Sequence, residues 1–235
     1  MHYSCKNNSY IILFFYNICM NICLNCEKEF ENRSSDYCSS NCAIDSMQIR
    51  ENLVNKLHSN NFECIADFEL KVFEFISKIE NKDHTILLFK NERIRDTVVT
   101  EFFDKSKNDI FTACFAHDKI KYKCDKTITY NELSENQILL TNKISEFLID
   151  VLDEAYPRSF PRVACEDTAW FSESGFFEEH QKIGNVLDKK VIEESAILCC
   201  YDTTGLDDVK IDVILQSRDY VILGEPLSVF RRKSL

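Results

Sequence analysis

The chain has 235 residues and a formal net charge of −11 at pH 7, because 39 Asp and Glu outnumber 28 Lys and Arg. This length suits one sizeable α/β domain with a small appendage, and a hydrophobic content of 45% is ordinary for a folded protein. The acidic balance argues against a general affinity for nucleic acid or for anionic membranes.

Residues 10–20 form an apolar run, YIILFFYNICM, ahead of the first recognisable module. The run is too short to span a bilayer, and it lacks the basic start and the small-residue cleavage site of a secretory signal. Met20 stands directly before that module. We therefore expect residues 1–19 to be disordered or to come from a wrongly assigned upstream start codon, and we predict no membrane partner.

Two closely spaced pairs of cysteines come next, separated by residues 27–37: Cys23, Cys26, Cys38 and Cys42. Cys-x2-Cys and Cys-x3-Cys pairs at this spacing are typical of a tetrahedral structural zinc site, and four thiolates leave no open position for a catalytic water. A redox Cys-x2-Cys motif would leave Cys38 and Cys42 unexplained. We predict a four-Cys zinc finger over residues 20–46 that binds structural Zn²⁺, with reduced cysteines of no special role as the alternative.

The charge of this module bears on what it contacts. Residues 20–60 carry four Lys and Arg against six Asp and Glu. Phosphate binding needs a positive patch, so this balance disfavours a nucleic-acid finger and favours a structural or protein-contacting module.

Apolar residues then recur at helical spacing over residues 43–57 and 65–79. Several acidic side chains on the second of these segments do not suit a helix that enters the major groove, which disfavours a helix-turn-helix. We predict a helical connector over residues 47–81, or a dimerising helical pair, and the sequence leaves a homo-oligomer open.

From residue 82 onward, short apolar runs alternate with helical patterns. The runs cover residues 84–89, 110–115, 162–165, 196–201 and 220–223. Continuous hydrophobicity indicates strands that are buried on both faces, as in a parallel sheet. Helices are predicted over residues 135–155, 175–189 and 207–216, so residues 82–230 should form a three-layer α/β sandwich with a mostly parallel sheet. Residues 231–235, including Arg231, Arg232 and Lys233, are predicted to be a solvated tail.

An ordered series of short motifs in this region is similar to that of the methanogen and methylotroph sensory (MEDS) domain. The motifs are Asp83-His84, Arg162-Val-Ala-Cys-Glu166 followed by Trp170, the Glu178 helix, Leu198-Cys-Cys-Tyr-Asp202 and Val221-Ile-Leu-Gly224. The resemblance implies a fold like that of RecA and KaiC-type ATPases without their phosphate-binding loop, and a ligand-sensing role in regulators. The chain differs from the family in a shorter segment over residues 117–132 and in Ser217-Arg218-Asp219, where many members have His-Pro.

Catalysis is not expected from these residues. A phosphate-binding loop needs a Gly-rich turn followed by Lys and Ser or Thr, yet the four glycines are at positions 175, 184, 205 and 224, and none follows the first strand. Cys165, Cys199 and Cys200 lie in strand interiors, where thiolate formation is disfavoured. We therefore predict that the chain is not an enzyme.

A ligand would bind outside the carboxyl ends of the parallel strands. The predicted ligand-binding residues there are Lys90, His117, Glu166, Tyr201 and Asp202, with Trp170 on an adjacent loop. Asp118 and Asp167 lie at the same edge. The alternative for the acidic residues is that they are solvated or cap helices.

These observations together predict a non-catalytic sensory or regulatory protein that binds a small molecule or a protein partner at this edge. Unpaired cysteines in apolar runs and the absence of an export signal favour a reducing cytoplasm. The alternatives are a scaffold or adaptor protein with a vestigial pocket, and a zinc-finger transcription regulator.

Overall fold

The computed structural model describes residues 21–23, 25–26, 28–30, 37–80, 82–104, 110–134, 140–156, 160–168, 170, 193–216 and 218–233. Two short strands, β1 (Asn21–Ile22) and β2 (Glu29–Phe30), form an antiparallel hairpin. The later elements, in chain order, are α1 (Ser40–Ser59), β3 (Phe62–Ala66), α2 (Glu69–Ser77), β4 (His84–Phe89), α3 (Glu92–Phe102), β5 (Phe111–Ala116), β6 (Lys126–Thr129), α4 (Tyr130–Ser134), α5 (Leu140–Ala155), β7 (Pro161–Cys165), β8 (Ala196–Asp202), α6 (Asp208–Gln216), β9 (Tyr220–Gly224) and β10 (Leu227–Arg232).

Eight of these strands form one sheet in the order β6-β5-β7-β8-β4-β9-β10-β3. The first six strands in this order are parallel to one another: β6, β5, β7, β8, β4 and β9. β10 runs antiparallel to β9, and β3 runs antiparallel to β10. This arrangement confirms the predicted α/β sandwich with a mostly parallel sheet.

Successive residues of β4 belong to two different hydrophobic cores, which shows that helices cover both faces of the sheet. Ile86 and Leu88 pack in one core with side chains of α1, α4, α5 and α6, and Leu87 and Phe89 pack in the other with side chains of α2 and α3. A strand covered on both sides is apolar at most positions, and this is why the residues of β4 from Ile86 to Phe89 form a continuous apolar run.

The segment 47–81 differs from the predicted helical connector because β3 lies within it. A helix was expected to start near Ile65, but residues 62–66 pair with β10 and α2 begins only at Glu69. Phe62 is completely buried, and the Arg232 guanidinium lies 4.6 Å from the centre of its ring. Burial of this aromatic side chain draws the segment into the sheet as its edge strand.

The predicted solvated tail is corrected at Arg231 and Arg232, whereas residues 234–235 lie outside the described residues. Arg231 and Arg232 end β10, and the guanidinium of Arg232 donates to the carbonyls of Arg218, Asn60 and Leu215. A side chain that satisfies three carbonyls in this way is part of the fold.

Some predictions fall outside the described residues: those for residues 1–19, for the helix over 175–189 with Glu178, and for the start of the helix over 135–155 up to residue 139. In the described part of the chain, no helix combines the length and the apolar character that crossing a membrane requires.

Candidate metal centre and the carboxyl edge of the sheet

The four predicted metal ligands come together at the amino-terminal hairpin. Cys23 follows β1, Cys26 lies on the turn after it, Cys38 precedes α1, and Cys42 lies in the first turn of α1. Their four Sγ atoms all lie within 4.8 Å of one another, and the described residues contain no other such group of three or more His, Cys, Asp or Glu ligands. Four converging sulfur atoms could hold a metal ion.

Backbone and cap contacts build this cluster. The Cys23 amide donates to the carbonyl of Lys28 at 3.0 Å, which closes the turn that carries Cys26. Ser39 caps α1, and its Oγ accepts from the amide of Cys42 at 3.2 Å. The Sγ atom of Cys38 lies 3.5 Å from the sulfurs of both Cys26 and Cys42.

Three thiols of the cluster have shifted pKa values. Burial opposes ionisation of Cys23, yet hydrogen bonds from the backbone of Cys38, Cys26 and Asn25 lower its pKa to about 6. The Ser39 side chain is the main cause of a lowered pKa at Cys42. The pKa of Cys38 is raised to about 12, chiefly by its hydrogen bond with Cys26. Part of the cluster is thus ready to release the protons that metal binding displaces.

The hairpin and α1 contact the carboxyl edge of the large sheet. Lys90, directly after β4, donates from Nζ to Oδ1 of Asn25 in the hairpin. Arg50 of α1 donates to the Pro226 carbonyl at 2.8 Å and to Ser228 Oγ at 3.0 Å. Between α1 and the ends of β4 and β9, a small cavity of about 30 Å³ remains.

The turn after β4 does not have the form of a phosphate-binding loop. Asn91 caps α3, and its side chain accepts from the Arg93 amide at 2.9 Å. The chain therefore enters α3 without a glycine loop. Lys90 lies at the edge where it was predicted, but its ammonium group is engaged by Asn25.

Glu166, at the end of β7, is completely buried inside an ion network. Its Oε2 accepts from the His117 amide at 2.9 Å, and its Oε1 contacts Nζ of Lys121 and lies 3.4 Å from Nη2 of Arg95. Asp96 also belongs to the network, since its Oδ1 lies 2.9 Å from Nε of Arg95 and 3.2 Å from Nζ of Lys121. Glu92 is a third carboxylate of the network, since its Oε1 lies 3.5 Å from Nη1 of Arg95. Glu166 is thus engaged on both oxygens by groups of the chain itself.

The electrostatics of this network depend on Tyr122, whose hydroxyl donates to Asp96 at 2.7 Å. Burial acts to raise the pKa of Asp96, but the hydrogen bonds from Tyr122 and Arg95 outweigh it and the pKa is lowered. The pKa of Tyr122 is raised, first by burial and then by its bond to Asp96.

Three residues of the network were not predicted from the sequence: Arg95, Asp96 and Lys121. A signal for Arg95 existed, because it lies on the apolar stripe of α3 with Val98 and Phe102, and the arginine itself is buried. A charged residue on such a stripe needs a buried partner.

A second group of predicted residues lies at the ends of β5 and β7. His117 Nε2 is 3.0 Å from Oδ2 of Asp167, and the His117 side chain is 52% exposed. The rings of Tyr130 and Trp170 stack with centroids 5.0 Å apart. Asp167 connects the two features, because its amide donates to the Tyr130 hydroxyl and its Oδ1 accepts from the Trp170 amide.

The structure does not bring the remaining predicted residues into this group. Tyr201 is 1% exposed and packs in the core that contains Cys199 and Phe115. Asp202 caps a short 3₁₀ turn, and its side chain accepts from the Thr204 amide at 2.8 Å. The capping alternative therefore accounts for the position of Asp202.

No protein-family model matches the chain, and no curated protein matches it significantly. Solved structures with weak likeness include EssC (ATPases 2 and 3) from Geobacillus thermodenitrificans, at 13% identity and a TM-score of 0.37 over 61% of this chain and 30% of that one. The cytoplasmic domain of EssC is similar at 10% identity and a TM-score of 0.35, over 60% of this chain and 31% of that one. The chain thus matches less than a third of the length of these proteins. Likeness at this level assigns neither a family nor an activity.

Proposed function

We propose that the chain is a non-catalytic regulatory protein in which a zinc-held module is docked on an α/β sandwich and passes a signal through protein contacts. The observation that carries this proposal is the closure of the carboxyl edge at β4. Lys90 is bound to Asn25, and the cavity beside it measures about 30 Å³. This arrangement supports a protein contact at the end of β4 in preference to nucleotide binding.

The buried network adds a second reason. Glu166 is the most buried acidic group at the edge, and its partners Arg95 and Lys121 neutralise it. A carboxylate that is already satisfied inside the fold is a poor general base and a poor ligand group. At Glu166, this favours the alternative of a scaffold or adaptor protein over a ligand pocket.

Zinc is the metal that we propose for the four-Cys cluster. Four thiolates in one compact group select soft or borderline cations, and a site closed by four protein ligands is structural. Because residues 20–60 are net acidic, the module suits a protein partner better than DNA. Retention on DNA that falls with salt would instead favour a transcription regulator.

Small-molecule sensing, as the MEDS resemblance predicts, is the second candidate function. The observation in its favour is the pair formed by His117 and Asp167 beside the stacked Tyr130 and Trp170 rings. Aromatic surface next to a few convergent polar groups is typical of ligand sites.

Native mass spectrometry on protein purified without chelator tests these proposals together, with Cys38→Ser and the exposed Cys64→Ser as matched variants. We expect one zinc ion per chain in the wild type and in Cys64→Ser, and none in Cys38→Ser. A co-purifying small molecule that is lost in His117→Ala would favour the sensor. Turnover of added Mg²⁺-ATP, or full zinc in Cys38→Ser, would contradict the primary proposal.

A further inference from the structure

Two of the cysteines outside the metal cluster form a pair in the core. Cys165 of β7 and Cys199 of β8 are register partners on adjacent parallel strands, and both side chains pack on the same face of the sheet. His84, the first residue of β4, places its Nε2 atom 3.5 Å from Sγ of Cys199. Two thiols and an imidazole thus lie together in a buried setting.

The other strand cysteines behave differently. Cys114 and Cys200 pack on the opposite face of the sheet, and burial raises the pKa of both thiols. At Cys199 the hydrogen bond from Cys165 lowers the pKa, burial opposes this, and His84 adds to the lowering. The same hydrogen bond and then burial raise the pKa of Cys165. What distinguishes the pair from cysteines that act as small hydrophobic side chains is therefore its geometry: register pairing on adjacent strands and the contact of Cys199 with His84.

A metal site is not what this geometry favours. The described residues hold only one group of three or more potential ligands within 4.8 Å of one another, and it is the amino-terminal cluster. A disulfide, in contrast, needs only two sulfurs and a suitable backbone spacing. Adjacent strands are about 4.8 Å apart, within the roughly 4.4–6.8 Å that disulfides span between Cα atoms.

We propose that Cys165 and Cys199 are an oxidisable dithiol that a hydroperoxide converts to a disulfide, with His84 as the base. His84 takes the proton of Cys199, and the thiolate attacks one peroxide oxygen. The O–O bond breaks, the leaving alkoxide or hydroxide receives that proton, and Cys199 becomes a sulfenic acid. The sulfur of Cys165 then attacks the sulfenic sulfur, and the departing oxygen leaves as water with the Cys165 proton. Two thiols and one hydroperoxide thus give a disulfide, an alcohol or water, and one water.

Peptide mapping of the full chain tests the proposal. The protein is treated with hydrogen peroxide, alkylated in denaturant and digested, and exposed Cys64 serves as the internal reference. We expect a cross-linked peptide that joins Cys165 to Cys199. Cys165→Ser should give a sulfenic acid at Cys199 that a 1,3-diketone traps, and Cys114→Ser should leave the cross-link unchanged.

The role of His84 is tested by His84→Asn, which should slow cross-linking roughly three- to tenfold by lowering the thiolate fraction. Oxidation of Cys64 should keep its rate. If circular dichroism shows that this variant is unfolded, trapping at Cys199 in Cys165→Ser decides instead, and its absence overturns the proposal. Full alkylation of both thiols after Cys64 has been oxidised also overturns it.

Discussion

Replacing Glu166 by alanine should destabilise the sandwich strongly. Removing one partner of a buried ion pair costs about 3–5 kcal/mol, because the other charge stays buried without compensation. Asp96 remains within 2.9 Å of Arg95 and 3.2 Å of Lys121, so the loss should lie at the lower end, about 3 kcal/mol. For a chain of this size, that corresponds to a fall in Tm of about 6–12 °C.

Glu166→Gln should cost about half as much, roughly 1.5 kcal/mol, because the amide oxygen still accepts from the His117 amide while the charge is lost. The free energy of unfolding is measured by urea titration followed by circular dichroism. Asp202→Asn is the matched control, since asparagine caps as well as aspartate and the change should be close to neutral. A loss of less than about 1 kcal/mol in Glu166→Ala would refute this reasoning and leave Glu166 available to a ligand.

Three further outcomes are expected. Arg162 donates to three main-chain carbonyls near the ends of α2 and α3, so Arg162→Met should lower the urea-derived free energy of unfolding by about 3 kcal/mol; a near-neutral result would contradict this. The folded-state pKa of Asp96 lies below its ordinary value of 3.8, so its contribution to stability is present above that pH and disappears as the pH falls through the folded pKa. Urea titrations from about pH 5 to about pH 2 should therefore show a shallower acid dependence in Asp96→Asn, and an unchanged slope would argue against it. Lys90→Met should speed hydrogen exchange in the first turn of α1 without loss of the metal ion, whereas unchanged exchange would mean that the contact with Asn25 does not hold the module.

The sequence predicted the centre of the sheet better than its margins. Strands such as β4 and β8 are apolar at nearly every position because both faces are buried, and that pattern is visible in one dimension. β3 and β10 lie at the end of the sheet and mix apolar with charged residues. Arg231 and Arg232 resemble a solvated tail until their partners on other elements are known.

The candidate sites show the same division. The four clustered cysteines are close in sequence, so their spacing alone predicted the cluster. The environment of Glu166 depends on Arg95 and Lys121, which come from other elements. Tyr201 was placed at a ligand edge, but it has the same strand parity as Cys199 and therefore points into the core. When both faces of a strand are apolar, the sequence does not show which residues point to which face.

The position of β10 bears on the order in which the protein can fold as it is made. Among the described strands β3 pairs with β10 alone, and β10 lies between β3 and β9. During synthesis β3 therefore emerges early and has no partner until β4 to β9 have all been translated. All four cysteines of the cluster, by contrast, have been synthesised once Cys42 has emerged. A bound metal ion could therefore hold the start of α1 before β3 has a strand to pair with. Until Leu227 to Arg232 arrive, the edges of β3 and β9 are open to strands of other chains, and the last strand protects both edges in a single step.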